Sequence, residues 1–172
     1  VVGMVGGEVT TAMIDIAQSV DVHLSRLTVA AVAEKGATSA AVGLSGILIA
    51  TTIRDCVLVG QLGVAAVSGK KKYLVTANLN LADNVFFCQH CGISLEGACL
   101  HYGQLRLADS LILGCSQAGI SMKGGALPAA RVIIDGNVLQ VSGTGIAAGS
   151  NQVRITGNEI VALDGRTAAP GI

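Results

Sequence analysis

The sequence predicts an all-β fold, a parallel β-helix in which each coil of chain stacks on the coil before it. Three observations predict it. The first is a repeat: Gly63, Gly92, Gly119 and Gly145 each open a Gly-Val or Gly-Ile pair and lie 29, 27 and 26 residues apart. At such a period each unit buries its apolar face only against its neighbours. The second is the order of features within one period, clearest over residues 79–95, LNLADNVFFCQHCGISL. Leu79 and Leu81 alternate with polar residues and lead into Asp83-Asn84; Phe86 and Cys88 alternate again; Gly92-Ile93-Ser94-Leu95 adds a third short piece. Three strands and two bends make one coil. The third is composition: 23 Gly, two Phe, two Tyr and no Trp, with Ala, Val, Ile and Leu filling most of the rest. Small and branched side chains suit a narrow, repetitively packed interior.

The same frame reads Thr51, Ile53, Asp55-Cys56, Gly63-Val64 upstream. Downstream it reads Leu105, Leu107, Asp109-Ser110, Gly119-Ile120, then Val132, Ile134, Asn137, Leu139, Val141, Gly145-Ile146, and fades after Val153, Ile155, Asn158 and Ile160. Before it, Val2-Gly3-Met4 resembles Val42-Gly43-Leu44 and reads as the last strand of a first coil. Thr10–Gln18 places Ala12, Met13, Ile16 and Ala17 at helical spacing behind Thr10 and Thr11 as caps; it reads as a short helix or an ordered loop covering the N-terminal opening. Val20, Val22 and Leu24 alternate with Asp21, His23 and Ser25 as a strand with one face buried, and Leu27 and Val29 continue past a bend. Ala33–Ala40 reads as a loop of polar and small residues. From Ile47 the coils run to Ala162, with loops at Ser68–Tyr73, Gly97–Gly103 and Lys123–Ala129 after the Gly-Val or Gly-Ile strand; the tail from Asp164 leaves the fold.

Turns this short leave no room for helical crossovers, so each strand pairs with its counterpart one coil along, giving three parallel sheets around one core. On the recurring hydrophobic, Asn and Gly-Ile pattern over roughly Val20 to Leu163, the chain resembles the right-handed parallel β-helix proteins of the pectin-lyase-like superfamily. The expectation is a single domain, residues 1–172, of six to seven coils and roughly 30 Å long at about 4.8 Å per coil, within a larger protein or assembly. Val57, Phe86, Leu113 and Leu139, together with Val64, Ile93, Ile120 and Ile146, are expected to point inward in stacks.

Cys56, Asn84, Ser110, Asn137 and Asn158 occupy one bend in successive coils, where stacked side chains hydrogen-bond along the axis as a structural ladder. Asp55, Asp83 and Asp109 stand one residue earlier and form a surface carboxylate column. The resemblance implies clustered carboxylates in members that hydrolyse polygalacturonate, while turn chemistry accounts for Asp at this position equally well. Cys88, Cys91, Cys99 and His101 have the composition of a zinc site; the alternative is that Cys88 and Cys115 are small hydrophobes in an inward column. No cofactor is expected, and five cysteines leave at least one unpaired. His23 and His90 read as exposed.

The strand after each Gly is, by the resemblance, the one that bears a polysaccharide cleft. Its outward residues here are Ala65 and Val67, Ser94 and Glu96, Ser121 and Lys123, Ala147 and Gly149, with Glu96 and Lys123 expected to pair. Neither paired aspartates nor the Gly-His-Gly and Arg-x-Lys motifs of the hydrolases are present, so the reading leans away from an enzyme. Eleven basic and 11 acidic residues give a net charge of zero, which excludes the electrostatic footprint of a nucleic-acid or anionic-membrane binder; the run Lys70-Lys71-Lys72 reads as a solvated turn. Residues 36–53 carry no charge over 18 residues, close to a membrane-spanning length. Gly, Ser and Thr interrupt them, and their later half keeps the repeat register, so no membrane span is expected. The functional expectation is a non-catalytic scaffold or surface and carbohydrate-recognition module of a larger assembly, meeting other chains through its coil ends. The alternative is a polysaccharide lyase or glycoside hydrolase domain. The resemblance implies an extracellular or envelope-associated setting.

Overall fold

The structure, a computed structural model, describes residues 9–32, 37–67, 74–96, 99–122, 131–149 and 152–163, without the side chains of 9–11 and 99–102. The described residues are all-β. In chain order the strands are β1 (Val9–Ser25), β2 (Thr28–Ala30), β3 (Thr38–Arg54), β4 (Val57–Ala66), β5 (Leu74–Ala82), β6 (Val85–Ser94), β7 (Cys99–Ala108), β8 (Leu111–Cys115), β9 (Ala118–Met122), β10 (Arg131–Asp135), β11 (Val138–Val141), β12 (Thr144–Ala148), β13 (Val153–Thr156) and β14 (Glu159–Ala162). Every pairing between them is parallel.

The ladders define three faces. The later halves of β1 and β3 stack with β5, β7, β10 and β13 on the first face. On the second, β2, the first halves of β4 and β6, β8, β11 and β14 stack. On the third, the earlier halves of β1 and β3 stack with the later halves of β4 and β6, then β9 and β12. The chain is therefore a parallel β-solenoid. The turns number about four, not the six to seven expected. The sequence count credited the end pieces as turns, whereas β13 and β14 line two faces only.

Thr10–Gln18 is neither helix nor loop: it lies within β1, and Ile14 and Ile16 pair with Val42 and Leu44 of β3. Ile16 is buried between exposed Asp15 and Ala17, so period-two burial against β3 outweighs the helical spacing. Thr38–Ala40, expected in a loop, begin β3, and Cys99 to Gly103, likewise expected in a loop, begin β7. The uncharged stretch 36–53 lies largely in β3; among the described residues no helix is long and apolar enough to cross a membrane. Residues 2–4, the Lys70–Lys72 run, Lys123 and the tail after Leu163 lie outside the described residues.

Alternation fills the interior with aligned columns. Leu58, Phe86, Ile112 and Leu139 stack in register on the second face and are at most 1% exposed. Val42, Val64, Ile93, Ile120 and Ile146 stack likewise on the third and are at most 6% exposed. Each such side chain contributes about 1.5–3 kcal/mol by leaving water. Two expected members of the second-face column are off by one residue: Val57 pairs with Val85 and Leu113 with Phe87, and all four are half-buried or exposed. The cause is the corner between second and third faces, which has register irregularities after Gly60 and after Gln140, so counting back from the glycine slips.

The periodic glycines serve close approach. A Cβ on Gly63 would strike the Phe86 ring, one on Gly92 would sit 2.5 Å from Ile112 Cγ2, and one on Gly119 would strike Leu139. Each glycine thus makes space at the corner for the large second-face side chain of the following coil.

Candidate functional site

The bend between first and second faces holds the ladder and the carboxylate column side by side. Arg26, Asp55, Asp83, Asp109, Gly136 and Gly157 take the same place in successive coils, and all have φ between 50° and 64°. Asp tolerates this left-handed conformation better than most side chains, and Gly adopts it freely. The N–H groups of Arg26, Asp55, Asp83, Asp109 and Gly136 donate to carbonyls of the following coil, as Asp109 does to Asp135 O at 3.0 Å.

One residue on, the Cys56 N–H donates to Asn84 Oδ1 at 3.0 Å, Asn84 N–H to Ser110 Oγ at 3.2 Å, Ser110 N–H to Asn137 Oδ1 at 3.1 Å and Asn137 N–H to Asn158 Oδ1 at 3.0 Å. The asparagine amides reach back: Asn84 Nδ2 donates to Ile53 O, Asn137 Nδ2 to Leu107 O and Asn158 Nδ2 to Ile134 O. Asn84, Ser110 and Asn137 are buried, and their polar atoms are consumed by backbone groups that water does not reach. Cys56 is buried too, and its Sγ–H donates to Arg54 O.

The carboxylates of Asp55, Asp83 and Asp109 are exposed on neighbouring coils, and each lies near a guanidinium. Arg54 Nε is 3.0 Å from Asp83 Oδ2 and 3.5 Å from Asp55 Oδ2; Arg106 is 3.7 Å from Asp109.

Cys88 and Cys91, three residues apart, fall in different clusters: Cys88 joins the main core with Cys115, and Cys91 packs with Ala40, Leu62, Ala65, Val67 and Ala118 on the other side of the third face. All three thiols are free. Burial raises the Cys88 thiol far above its ordinary range, with the neighbouring Cys115 and Cys91 adding to it, and pushes Cys91 up to about 12 and Cys115 up to about 11. At neutral pH they remain protonated, the form that neither attacks nor ligates. The side chains of Cys99 and His101 lie outside the described residues, and among those described no group of three or more metal-ligating side chains converges.

On the outside of the third face, Ala65, Val67 and Ser121 are buried rather than solvent-facing. Glu96 accepts a 2.7 Å hydrogen bond from Ser121 Oγ; its expected partner Lys123 is not among the described residues. His23 is exposed beside Asp21, at 3.1 Å, while His90 is half-buried with Nδ1 unpartnered.

Sequence reasoning passed over the outside of the first face. Register aligns Asp21, Ala50, Asn78, Gln104 and Arg131 in one row, and His23, Thr52, Asn80, Arg106, Ile133 and Arg154 in the next. The signal was available: these residues flank the inward Leu79, Leu105, Val132 and Val153 at opposite parity. Asn78 Oδ1 accepts the Gln104 N–H at 3.4 Å, and Arg131, Ile133, Val153 and Arg154 line a shallow recess of about 330 Å³. Comparison with known proteins finds no matching family model, no matching curated protein and no matching solved structure.

Proposed function

We propose that the chain is a non-catalytic β-helical module, a rigid scaffold that recognises carbohydrate on the outside of its first face within a larger extracellular or envelope-associated assembly. The observation that carries this reading is the pair of outward rows just described, in which amide and guanidinium side chains repeat at the spacing of the coils. Flat arrays of amides and guanidiniums offer donors and acceptors to hydroxyl-rich chains without an aromatic platform. Three further features support a scaffold: a bend whose polar groups are spent on backbone, thiols held protonated by burial, and a core stacked without interruption. Binding on a glycan array together with a reducing-sugar release assay tests it. Binding without release is the expected result, and release of reducing ends by the purified chain would overturn it.

A second reading, a polysaccharide lyase or hydrolase of the pectin-lyase-like type, draws on the Asp83 and Asp109 bends. These stack on adjacent coils about 4.8 Å apart, near the roughly 5 Å separation of retaining glycosidases. Against it, Asp83 is engaged by Arg54 and both aspartates sit at left-handed positions where turn geometry already favours them. Sugar release that disappears in both Asp83→Asn and Asp109→Asn would establish it.

A further inference from the structure

The geometry points to a site on the outside of the first face, centred on Ile133, that binds the acidic groups of a polysaccharide; it rests on the recognition reading above and specifies its ligand. Ile133 of β10 has Arg106 of β7 and Arg154 of β13 as its direct register partners on either side. Arg131, two residues before Ile133, is diagonal to both, and diagonal neighbours in a sheet lie about 7–8 Å apart. Three arginines are therefore the strand neighbours of one half-buried isoleucine. Arg131 and Arg154 are exposed and line the recess beside it.

The pairing of charges sets this place apart. Arg54 is held by two carboxylates and Arg106 shares Asp109 at 3.7 Å, but among the described residues neither Arg131 nor Arg154 has an ion-pair partner. The nearest carboxylate on their strands, Asp135, accepts a 2.6 Å hydrogen bond from Thr156. Like charges gathered on adjacent strands work against folding, so the cluster is a local cost that a bound anion relieves. The guanidinium fork matches a carboxylate or sulfate through two parallel N–H donors. Along the same face Asn78, Asn80 and Gln104 continue toward the N-terminal end and suit the hydroxyls of the same chain. No Phe, Tyr or Trp stands in either row, so the stacking platform that single-stranded nucleic acid uses is missing. Acid groups on a sugar polymer fit these features; a nucleic acid does not.

Titration calorimetry with four probes tests the site: a neutral oligoglucan, an oligouronate, a sulfated oligosaccharide and an oligothymidylate. The expected result is tighter binding of an acidic sugar than of the neutral one, weakened by added salt. Arg131→Gln and Arg154→Gln should each lose about tenfold or more, the loss of a charge-assisted hydrogen-bond pair. Arg26→Gln, remote on the first bend, should bind as the parent does. The two acidic probes separate a carboxylate from a sulfate source. Equal binding of neutral and acidic sugars, unaffected by the arginine changes, would overturn the acidic site and leave the recognition reading standing. Preference for the oligothymidylate would overturn the site in favour of a nucleic acid. Failure of the folded parent to bind any sugar would overturn both.

Discussion

Thr51 stands in an inward column between Val22 and Leu79, is 2% exposed, and its hydroxyl has no partner. A buried hydroxyl left unpaired forfeits its hydration for nothing. Thr51→Val, nearly the same shape, should therefore raise stability by about 1 kcal/mol, read as an upward shift in urea midpoint. Gly92 is the opposite case, since a Cβ there would meet Ile112 Cγ2 at 2.5 Å and Gly119 O at 2.9 Å. Gly92→Ala should cost about 1–3 kcal/mol by overpacking, while Gly149→Ala, whose nearest neighbour would be Met122 O at 3.7 Å, should cost far less. The buried thiols set an alkaline limit. Cys91 rises from 9.0 to about 12 because burial disfavours its thiolate, so the folded chain keeps a proton that the unfolded chain releases. Its contribution is full below pH 9 and is lost as pH climbs from 9 toward 12, at about 1.4 kcal/mol per pH unit. Denaturation under reducing conditions at pH 8 and pH 10.5 should show a smaller alkaline loss in Cys91→Ala than in the parent.

At the scale of the element, the bend sets the register. Asn137 is fully buried: its Oδ1 takes the Ser110 N–H, and its Nδ2 serves Leu107 O, Asp135 O and Asn158 Oδ1. Asn137→Ala should lower stability by about 3 kcal/mol, because it orphans buried donors and acceptors on both sides; Asn137→Asp, which loses the donors, should not restore it. This bend was legible in the sequence, because Asn84, Ser110, Asn137 and Asn158 put a small polar residue there in successive coils and few types qualify. Counting two residues forward from it finds Leu58, Phe86, Ile112 and Leu139, the buried column. Counting back from the glycine does not, because the corner in between absorbs irregularities that no residue pattern announces. Thr10–Gln18 was misread for a related reason: Ala12, Met13, Ile16 and Ala17 fit a helical period, and only the partner strand β3 makes the period-two face of Ile14 and Ile16 decisive. The arginine cluster around Ile133 was hidden because its members come from three strands spread over residues 106–154, and register alone unites them.

Across the whole molecule the solenoid behaves as a one-dimensional stack in which each coil is stabilised by the coils on either side. Among the described residues the last coil has one such neighbour, and Ile155, Ile160, Val161 and Leu163 there are 40–43% exposed, whereas Ile112 and Leu139 are 0% exposed. Apolar surface of this kind invites association with another chain, and this end is where the scaffold reading places its partner. Ile112 and Ile160 share one column, joined through Leu139, so the same truncation compares the middle of the stack with its end. Ile112→Ala should cost about 2–5 kcal/mol, because the coils above and below hold the cavity open. Ile160→Ala should cost clearly less, about 1 kcal/mol, in the isolated chain, since about two-fifths of its surface is already in water. Hydrogen exchange should separate the two further, with Ile112→Ala loosening amides across several coils and Ile160→Ala loosening those of β13 and β14 alone. Equal costs for the two truncations would mean that the terminal coil is packed as tightly as the centre, and that no partner is needed to complete it.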